Sequence, residues 1–316
     1  MAAIKPAWIA LDWGTTRARA WALSDAGDVL ASQDSTRGMG TLAQGDDHGA
    51  AYAGALLDLI GAWLDPEHPI EVWACGMVGS RQGWVEAPYA PLPATAADLA
   101  AGAVSPPDVI PGAEVHIVAG LCQHEPPDVI RGEETQVLGL LTAEPDFSGL
   151  VCLPGTHSKW IQLEAGQFRA FHTAMTGELF QAIATHTVLR HTVTTDWMNA
   201  DAAASAWVAC DQAMRTALTS PAAVATALFQ SRAASLVANE QPPAASARLS
   251  GLLIGLELAA MRGWLSSQPV ICGAPALVEL YQRALSVLDR TARPIDAASA
   301  VISGLARIRA ARTTQR

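Results

Sequence analysis

The run Ile9-Ala10-Leu11-Asp12 ends an apolar stretch on a carboxylate, and Gly14-Thr15-Thr16-Arg17 follows almost at once. A turn of small residues after a strand points several backbone N–H groups to one concave side, which suits phosphate oxygens. Thr15 and Thr16 add hydroxyl donors and Arg17 a positive charge. A carboxylate beside phosphates has a partner in Mg2+, held directly or through its waters, so Asp12 is the candidate metal residue. Taken singly, an aspartate at a strand end is more often a turn-former or a helix cap. The chain, however, uses the device twice. Leu150-Val151-Cys152-Leu153 runs into Gly155-Thr156-His157-Ser158-Lys159, and Gly155 lies 141 residues after Gly14, close to half the chain. Two such turns facing one another across a cleft would grip a triphosphate from both sides. A P-loop is excluded because no GxxxxGK[ST] is present, and no GxGxxG follows a strand.

The elements that must hold these turns are legible from patterning. Residues 7–12, 17–24 and 28–35 read as strands, with Ala26-Gly27 as a turn. A helix is expected over Asp47–Leu64, stopped by Pro66, and a strand over 70–76. Residues 113–120 read as a further strand and 132–141 as the start of a helix. Strand, Gly-Thr turn, alternating strand, Ala165-Gly166 turn and third strand then recur over 149–175. Residues 176–265 are Ala-rich and helical in pattern, followed by a strand over 268–275, a helix over 276–288, a short strand near 292–296 and a last helix from Ala297. Strands mixed with helices in two similar halves predict an α/β fold with a cleft between lobes. The expected division is 1–141 and 142–316, with a short hinge near 141–149.

Composition narrows the class. The 316 residues are 50% hydrophobic and 16% charged, enough for a sizeable core, and the formal net charge is −10. No Lys/Arg cluster forms a basic face, which argues against nucleic acid as a partner. The five cysteines are odd in number, scattered and without a CxxC pair, so they read as free thiols in a reducing compartment. The first residues have no extended apolar run of the signal-peptide kind, and the apolar stretch 250–265 is interrupted by Glu257 and Arg262. A cytoplasmic protein without a membrane partner is expected; the sequence leaves the oligomeric state open, a homodimer included.

With these residues in view, the chain resembles a known family. Leu11–Thr16, Leu153–Trp160 and Val270–Tyr281 are similar to the first phosphate, second phosphate and adenosine segments of the two-lobed actin-like ATPase (ribonuclease H-like) superfamily. Cys75–Tyr89, Asp128–Gly139 and Leu153–Trp160 resemble the 2-dehydro-3-deoxygalactonokinase family of sugar-acid kinases, over about residues 8 to 305. The resemblance implies ATP and Mg2+ and phosphorylation of the 6-hydroxyl of 2-dehydro-3-deoxy-D-galactonate in galactonate catabolism. Asp12 would hold Mg2+. Gly14, Thr15, Thr16 and Arg17, and then Gly155, Thr156, His157, Ser158 and Lys159, would contact the phosphates. In related kinases a Gly-Asp-Gln run carries the catalytic carboxylate; here Gly132-Glu133-Glu134 occupies the similar place, with Glu133 slightly favoured over Glu134 as base. Both glutamates also suit a helix N-terminus on dipole grounds alone. Arg81, Gln82 and Trp84, with Arg131 as a second cationic candidate, would receive the sugar acid, and Gly38-Met39-Gly40 a substrate-side turn. Gly273 and Ala274 would let the backbone approach adenine or ribose. The alternatives are a kinase for another sugar acid or a ketose, and a non-kinase nucleotide switch of the chaperone or regulator kind. A chaperone would need a peptide-binding domain and a regulator a DNA-binding extension, and neither is expected in this sequence.

Overall fold

Trp8–Trp13 (β1) is apolar on both faces apart from Asp12, which is what a central strand requires. In the computed structural model, which describes residues 4–43, 48–194, 197–198, 204–265 and 268–313, β1 is the middle strand of five. Ala18–Leu23 (β2) pairs with it antiparallel, and Val29–Ser35 (β3), exposed along most of its length, forms the edge beyond. Met39–Leu42 (α1) and His48–Ile60 (α2) follow; of the expected helix over Asp47–Leu64, Asp47 lies outside the described residues. Ile70–Cys75 (β4) then pairs parallel to β1 on its other side. Tyr89–Pro91 (β5) and Ala96–Ala101 (α3) precede Ala113–Ile117 (β6), which closes the sheet in the order β3-β2-β1-β4-β6. The chain does not continue as one strand to residue 120. It breaks after β6, and Gly120–His124 (β7) joins β5 and Pro127–Ile130 (β8) in a separate three-stranded sheet. At the break, Val118 donates its N–H to Ala74 O and Gly120 donates to Pro88 O, so the backbone changes partners within three residues. Glu133–Ala143 (α4) ends this half.

The second half repeats the plan. Gly149–Leu153 (β9), Ser158–Glu164 (β10) and Gln167–Ala174 (β11) lie side by side, as β1, β2 and β3 do. Thr176–His186 (α5), Ala204–Thr219 (α6), Val224–Val237 (α7) and Pro242–Ala260 (α8) supply the expected helical region. Val270–Cys272 (β12) pairs parallel to β9, Pro275–Ser286 (α9) follows, and Arg293–Ile295 (β13) completes the order β11-β10-β9-β12-β13. Ala297–Thr313 (α10) is the last helix. Among the described residues no helix is long and apolar enough to cross a membrane. The five cysteines are unbridged, four of them buried.

The chain divides into two units, and the division departs from a cut at 141/142. One unit takes Met1–Ser148, Leu163–Phe171 and Asp296–Arg316, the other Gly149–Gln162 and His172–Ile295. The last helix returns to the first unit because α10 packs along α4, where Gly139 lies on the Ala300 backbone and Gly304 on that of Thr135. Ile9, Leu11, Trp13, Tyr52, Leu56, Ile60 and Val72 belong to the buried core of the first unit. Cys152, Trp160, Met214, Ile254, Leu258 and Tyr281 belong to that of the second. A Cβ at Gly304 would collide with Thr135 O, and neither backbone can yield without shifting its helix. Gly304→Val is expected to destabilise the fold by about 1–3 kcal/mol, the usual cost of overpacking, read from urea unfolding. An unchanged midpoint would show that the α4–α10 crossing has slack.

Candidate active site

The first turn is anchored from behind. Gly14 donates its N–H to Arg17 O at 2.9 Å, closing the turn. Met39 donates to Gly14 O at 3.0 Å and Gly40 to Thr15 O at 2.9 Å, so Gly38-Met39-Gly40 backs the turn. Gly38 is needed there, since any Cβ would run into the Thr15 and Thr16 backbone. Thr15, Thr16 and Arg17 are exposed, their side chains free of the core. The turn is thus held by its backbone carbonyls.

Asp12 stands one step before this turn, opposite Arg19 on β2 and Cys75 on β4. Burial pushes its carboxyl up to about 6; Arg19 opposes that shift and Glu133 adds to it. Two left-handed glycines bring the neighbouring elements in. Gly76 has φ +94°, and a Cβ there would lie 2.8 Å from Trp13 O and 3.4 Å from Asp12 Oδ1. Gly132 has φ +105°, and a Cβ there would lie 3.1 Å from Gly76 Cα. Gly132 is also the residue from which α4 starts, so the helix delivers Glu133 and Glu134 in its first turn. An anionic side chain is favoured there by the helix dipole.

The two glutamates are placed differently. Glu134 is 1% exposed, and both its oxygens accept the Gly132 N–H, at 2.9 and 2.7 Å, while Thr135 Oγ1 donates at 3.1 Å. Burial first, then the Glu133 charge, push it up to about 7 against these hydrogen bonds and Arg131. Glu133 is half-buried, accepts the Arg131 N–H at 3.0 Å and faces Asp12 closely enough to raise its pKa. Arg131 itself donates Nη2–H to Ala87 O at 2.7 Å and stacks over Tyr89 at 4.2 Å, while its buried Nε and Nη1 have no acceptor among the described residues. Among the described residues no group of three or more His, Cys, Asp or Glu side chains could hold a metal ion by itself. Mg2+ is commonly bound by one or two carboxylates with phosphate and water completing the shell. A desolvated Asp12 beside Glu133 is a place where added positive charge is welcome.

Other expected residues sit elsewhere. Trp84 lies in the core rather than on the loop's exposed side: it is 7% exposed, stacks on Tyr52 with ring centroids 6.0 Å apart and donates Nε1–H to Asp108 at 2.7 Å. The same GSRQGW loop that presents Arg81 and Gln82 to solvent folds its indole into the core; Arg81 pairs with Glu86 at 3.4 Å.

In the second unit, Gly155, Thr156 and His157 form the turn between β9 and β10. Thr156 and His157 are exposed, and His157 Nε2 lies 2.6 Å from Glu178 Oε2. Ser158 and Lys159 depart from expectation because they already belong to β10. Ser158 is fully buried with Oγ 2.7 Å from Tyr281 Oη, and Lys159 is 5% exposed, so neither side chain projects from the turn. A Cβ on Gly273 would lie 3.4 Å from Pro154, which sets the Gly273-Ala274 segment beside this turn. A pocket of about 160 Å3 adjoins it, lined by Gly155, Gly177, Phe180, Trp197, Leu277 and Tyr281 among others. Sequence reasoning missed the residues under this turn, Thr176, Glu257 and Tyr281. The one available signal was a lone glutamate inside the apolar stretch 250–265.

The acidic cluster of the first unit has a stability signature. Folding raises Glu134 from 4.5 to about 7, so between those values the folded chain holds a proton that the unfolded chain releases. Stability is therefore full at low pH and falls as pH rises towards 7. Asp12, raised to about 6, acts in the same direction. Glu134→Gln should flatten this slope and leave the variant relatively more stable at pH 8 than at pH 5. Urea midpoints at the two pH values check it; parallel losses in both proteins would contradict it.

The sequence model of the 2-keto-3-deoxy-galactonokinase family matches residues 12–308. A Rhizobium meliloti protein named "Probable 2-dehydro-3-deoxygalactonokinase" is 40% identical over 303 residues, 94% of this chain and 95% of its own. An Escherichia coli 2-dehydro-3-deoxygalactonokinase is 32% identical over 285 residues, 89% of this chain and 90% of its own. A crystal structure of a Sinorhizobium meliloti protein, provisionally assigned the same activity, aligns with TM-score 0.84 at 38% identity, covering 96% of each chain. A match running from Asp12 to beyond the middle of α10 takes in both turns and the acidic start of α4, and so the chain belongs to the 2-keto-3-deoxy-galactonokinase family.

Proposed function

We propose that this chain transfers the γ-phosphoryl group of ATP to the 6-hydroxyl of 2-dehydro-3-deoxy-D-galactonate, giving the 6-phosphate and ADP in galactonate catabolism. Family membership supports ATP as co-substrate and a sugar acid as acceptor. The observation that carries the site assignment is the close approach of Gly132, where α4 starts, to Gly76 beside Asp12, which brings Glu133 to the end of β1. Phosphoryl transfer asks the protein chiefly for positioning and charge neutralisation, with one acceptor for the hydroxyl proton. Mg2+, when bound, would neutralise charge on the phosphate oxygens, and Asp12 is the residue that would hold it. Glu133, half-buried and oriented by the Arg131 N–H, accepts the 6-hydroxyl proton as that oxygen forms its bond to the γ-phosphorus and the bond to ADP breaks. Glu134 plays a different part. Both its oxygens lie on the Gly132 N–H, so it fixes the loop from which Glu133 projects.

Thr15, Thr16 and Arg17 are the exposed donors of the first turn for phosphate oxygens, and the Gly155 and Thr156 backbone those of the second. The pocket beside Gly155, with Trp197 and Phe180 in its lining and Gly273-Ala274 near the same turn, is the assignment for adenine. Arg131 is a stronger candidate for the substrate carboxylate than the solvent-exposed Arg81, because two of its donors lack acceptors and a guanidinium meets a carboxylate bidentately.

Coupled ADP release is the test, with 2-dehydro-3-deoxygalactonate, its gluconate epimer and a neutral ketose as acceptors. Turnover is expected with the keto acids and not with the ketose. Glu133→Gln should lower kcat by about 100-fold or more, the usual contribution of a general base. Turnover that survives this substitution would transfer the role to Glu134. No acceptor-dependent ADP release would overturn the kinase reading for this chain.

A further inference from the structure

A second carboxylate, remote in sequence from the acidic cluster, is buried beneath the second turn. Glu257, on α8, is 4% exposed and lies in an otherwise apolar stretch of helix. Its Oε1 accepts Trp160 Nε1–H at 2.7 Å. Its Oε2 accepts the hydroxyls of Tyr281, at 2.8 Å, and of Thr176. Tyr281 spends its proton on Glu257, so the 2.7 Å contact between Ser158 Oγ and Tyr281 Oη has serine as donor. One carboxylate thereby receives donors from β10, α5 and α9.

Those three attachments converge on the same short segment. Thr176 opens α5, and the first turn of α5 rests directly on the Gly155-Thr156 backbone: Glu178 donates its N–H to Thr156 O at 2.9 Å. A Cβ at Gly177 would lie 2.5 Å from Gly155 O, so the approach is as close as a glycine permits. Ser158 closes the far end of the turn. The turn is therefore tied at one end through Thr176 and at the other through Ser158 and Tyr281. Gly155, Thr176, Gly177 and Tyr281 also line the adjoining pocket.

We infer that Glu257 is the positioning residue of the nucleotide side, holding the Gly155–Ser158 turn in its phosphate-accepting shape through Thr176, Tyr281 and Ser158. The inference rests on the reading of that turn as a phosphate site. A carboxylate is the group the position requires, because it is acceptor-only and can take all three donors at once. A glutamine would turn an NH2 group towards a donor, and a leucine would leave the buried Trp160 and Tyr281 donors and the half-buried Thr176 hydroxyl unpaired.

The experiment measures KM for ATP and for the sugar acid separately, with kcat and the melting temperature, in Glu257→Gln, Thr176→Val, Thr176→Ser and Tyr281→Phe. KM for ATP is expected to rise about tenfold in Glu257→Gln, the scale of one lost charge-assisted hydrogen bond. It should rise less in Thr176→Val and Tyr281→Phe, and return to the wild-type value in Thr176→Ser, which keeps the hydroxyl. KM for the sugar acid should stay unchanged. A role in stability alone would lower the melting temperature and the active fraction, and so the apparent kcat, while leaving both KM values in place; that result overturns the inference. Should Glu257→Gln fail to fold, the Thr176 and Tyr281 variants decide by the same criterion. Gly155→Val tests the underlying reading, because the fold has room for a Cβ there, its nearest neighbour being 3.9 Å away, while the added bulk would meet a phosphate. A raised KM for ATP in Gly155→Val, with none in the Glu257, Thr176 or Tyr281 variants, overturns the positioning role and leaves the phosphate site standing. No change in any variant removes both.

Discussion

Two backbone segments in the first unit approach closer than side chains allow. Gly76 ends β4 against the Trp13 carbonyl, and Gly132 rests against Gly76 Cα; both adopt left-handed backbone conformations. That contact fixes where α4 begins relative to the end of β1, and so fixes Glu133 relative to Asp12. Any side chain at either glycine would meet strain in φ and crowding at once. The rest of the unit can be read as support for this junction. β1 and β4 are parallel neighbours ending at the same level, and α10 holds α4 from its other side through Gly304 and Gly139.

The junction is electrostatically unfavourable in isolation. The Glu133 charge raises both Asp12 and Glu134, and burial brings these two to about 6 and about 7. A core designed only for stability would not keep them. Their arrangement becomes sensible once a cation and a proton-donating hydroxyl are brought in, because each relieves part of the repulsion. The second unit shows the complementary solution. Its buried Glu257 is surrounded by donors from three elements, and no neighbouring acid adds to the effect of burial on its pKa. Burial is the largest cause of the raised pKa in Asp12, Glu134 and Glu257 alike; in the first unit a neighbouring carboxylate adds to it, and around Glu257 the hydroxyl and indole donors oppose it.

Much of this was legible in sequence because the repeated pattern is local. Strand, Gly-Thr turn, alternating strand and Ala-Gly turn occupy a few dozen residues, and the order of the first three strands of each sheet follows from them. The acidic pair after Gly132 was also visible, as a helix start. What periodicity could not show was direction. Lys159 and Trp84 have the composition of ligand-binding residues, yet β10 is covered on both faces over its first four residues and the loop turns its indole inward, so both side chains are buried. The three-stranded sheet of β5, β7 and β8 escaped notice because 113–120 has the pattern of one strand, while its hydrogen bonds pass to new partners at Val118 and Gly120. Glu257 meets Trp160 and Thr176 at separations of 97 and 81 residues, beyond the reach of any local pattern.

The central claim is that the end of β1 supplies the metal-binding carboxylate of a phosphoryl-transfer site. Its most direct test is the initial rate of sugar-acid phosphorylation as a function of Mg2+ concentration at fixed ATP, in the wild type and in Asp12→Asn. The substitution is isosteric and removes a desolvated acid, so the fold should tolerate it. A Mg2+ curve displaced to far higher concentration, with a lower plateau, is the result this account predicts. Superimposable curves would contradict it and remove Asp12 from the reaction.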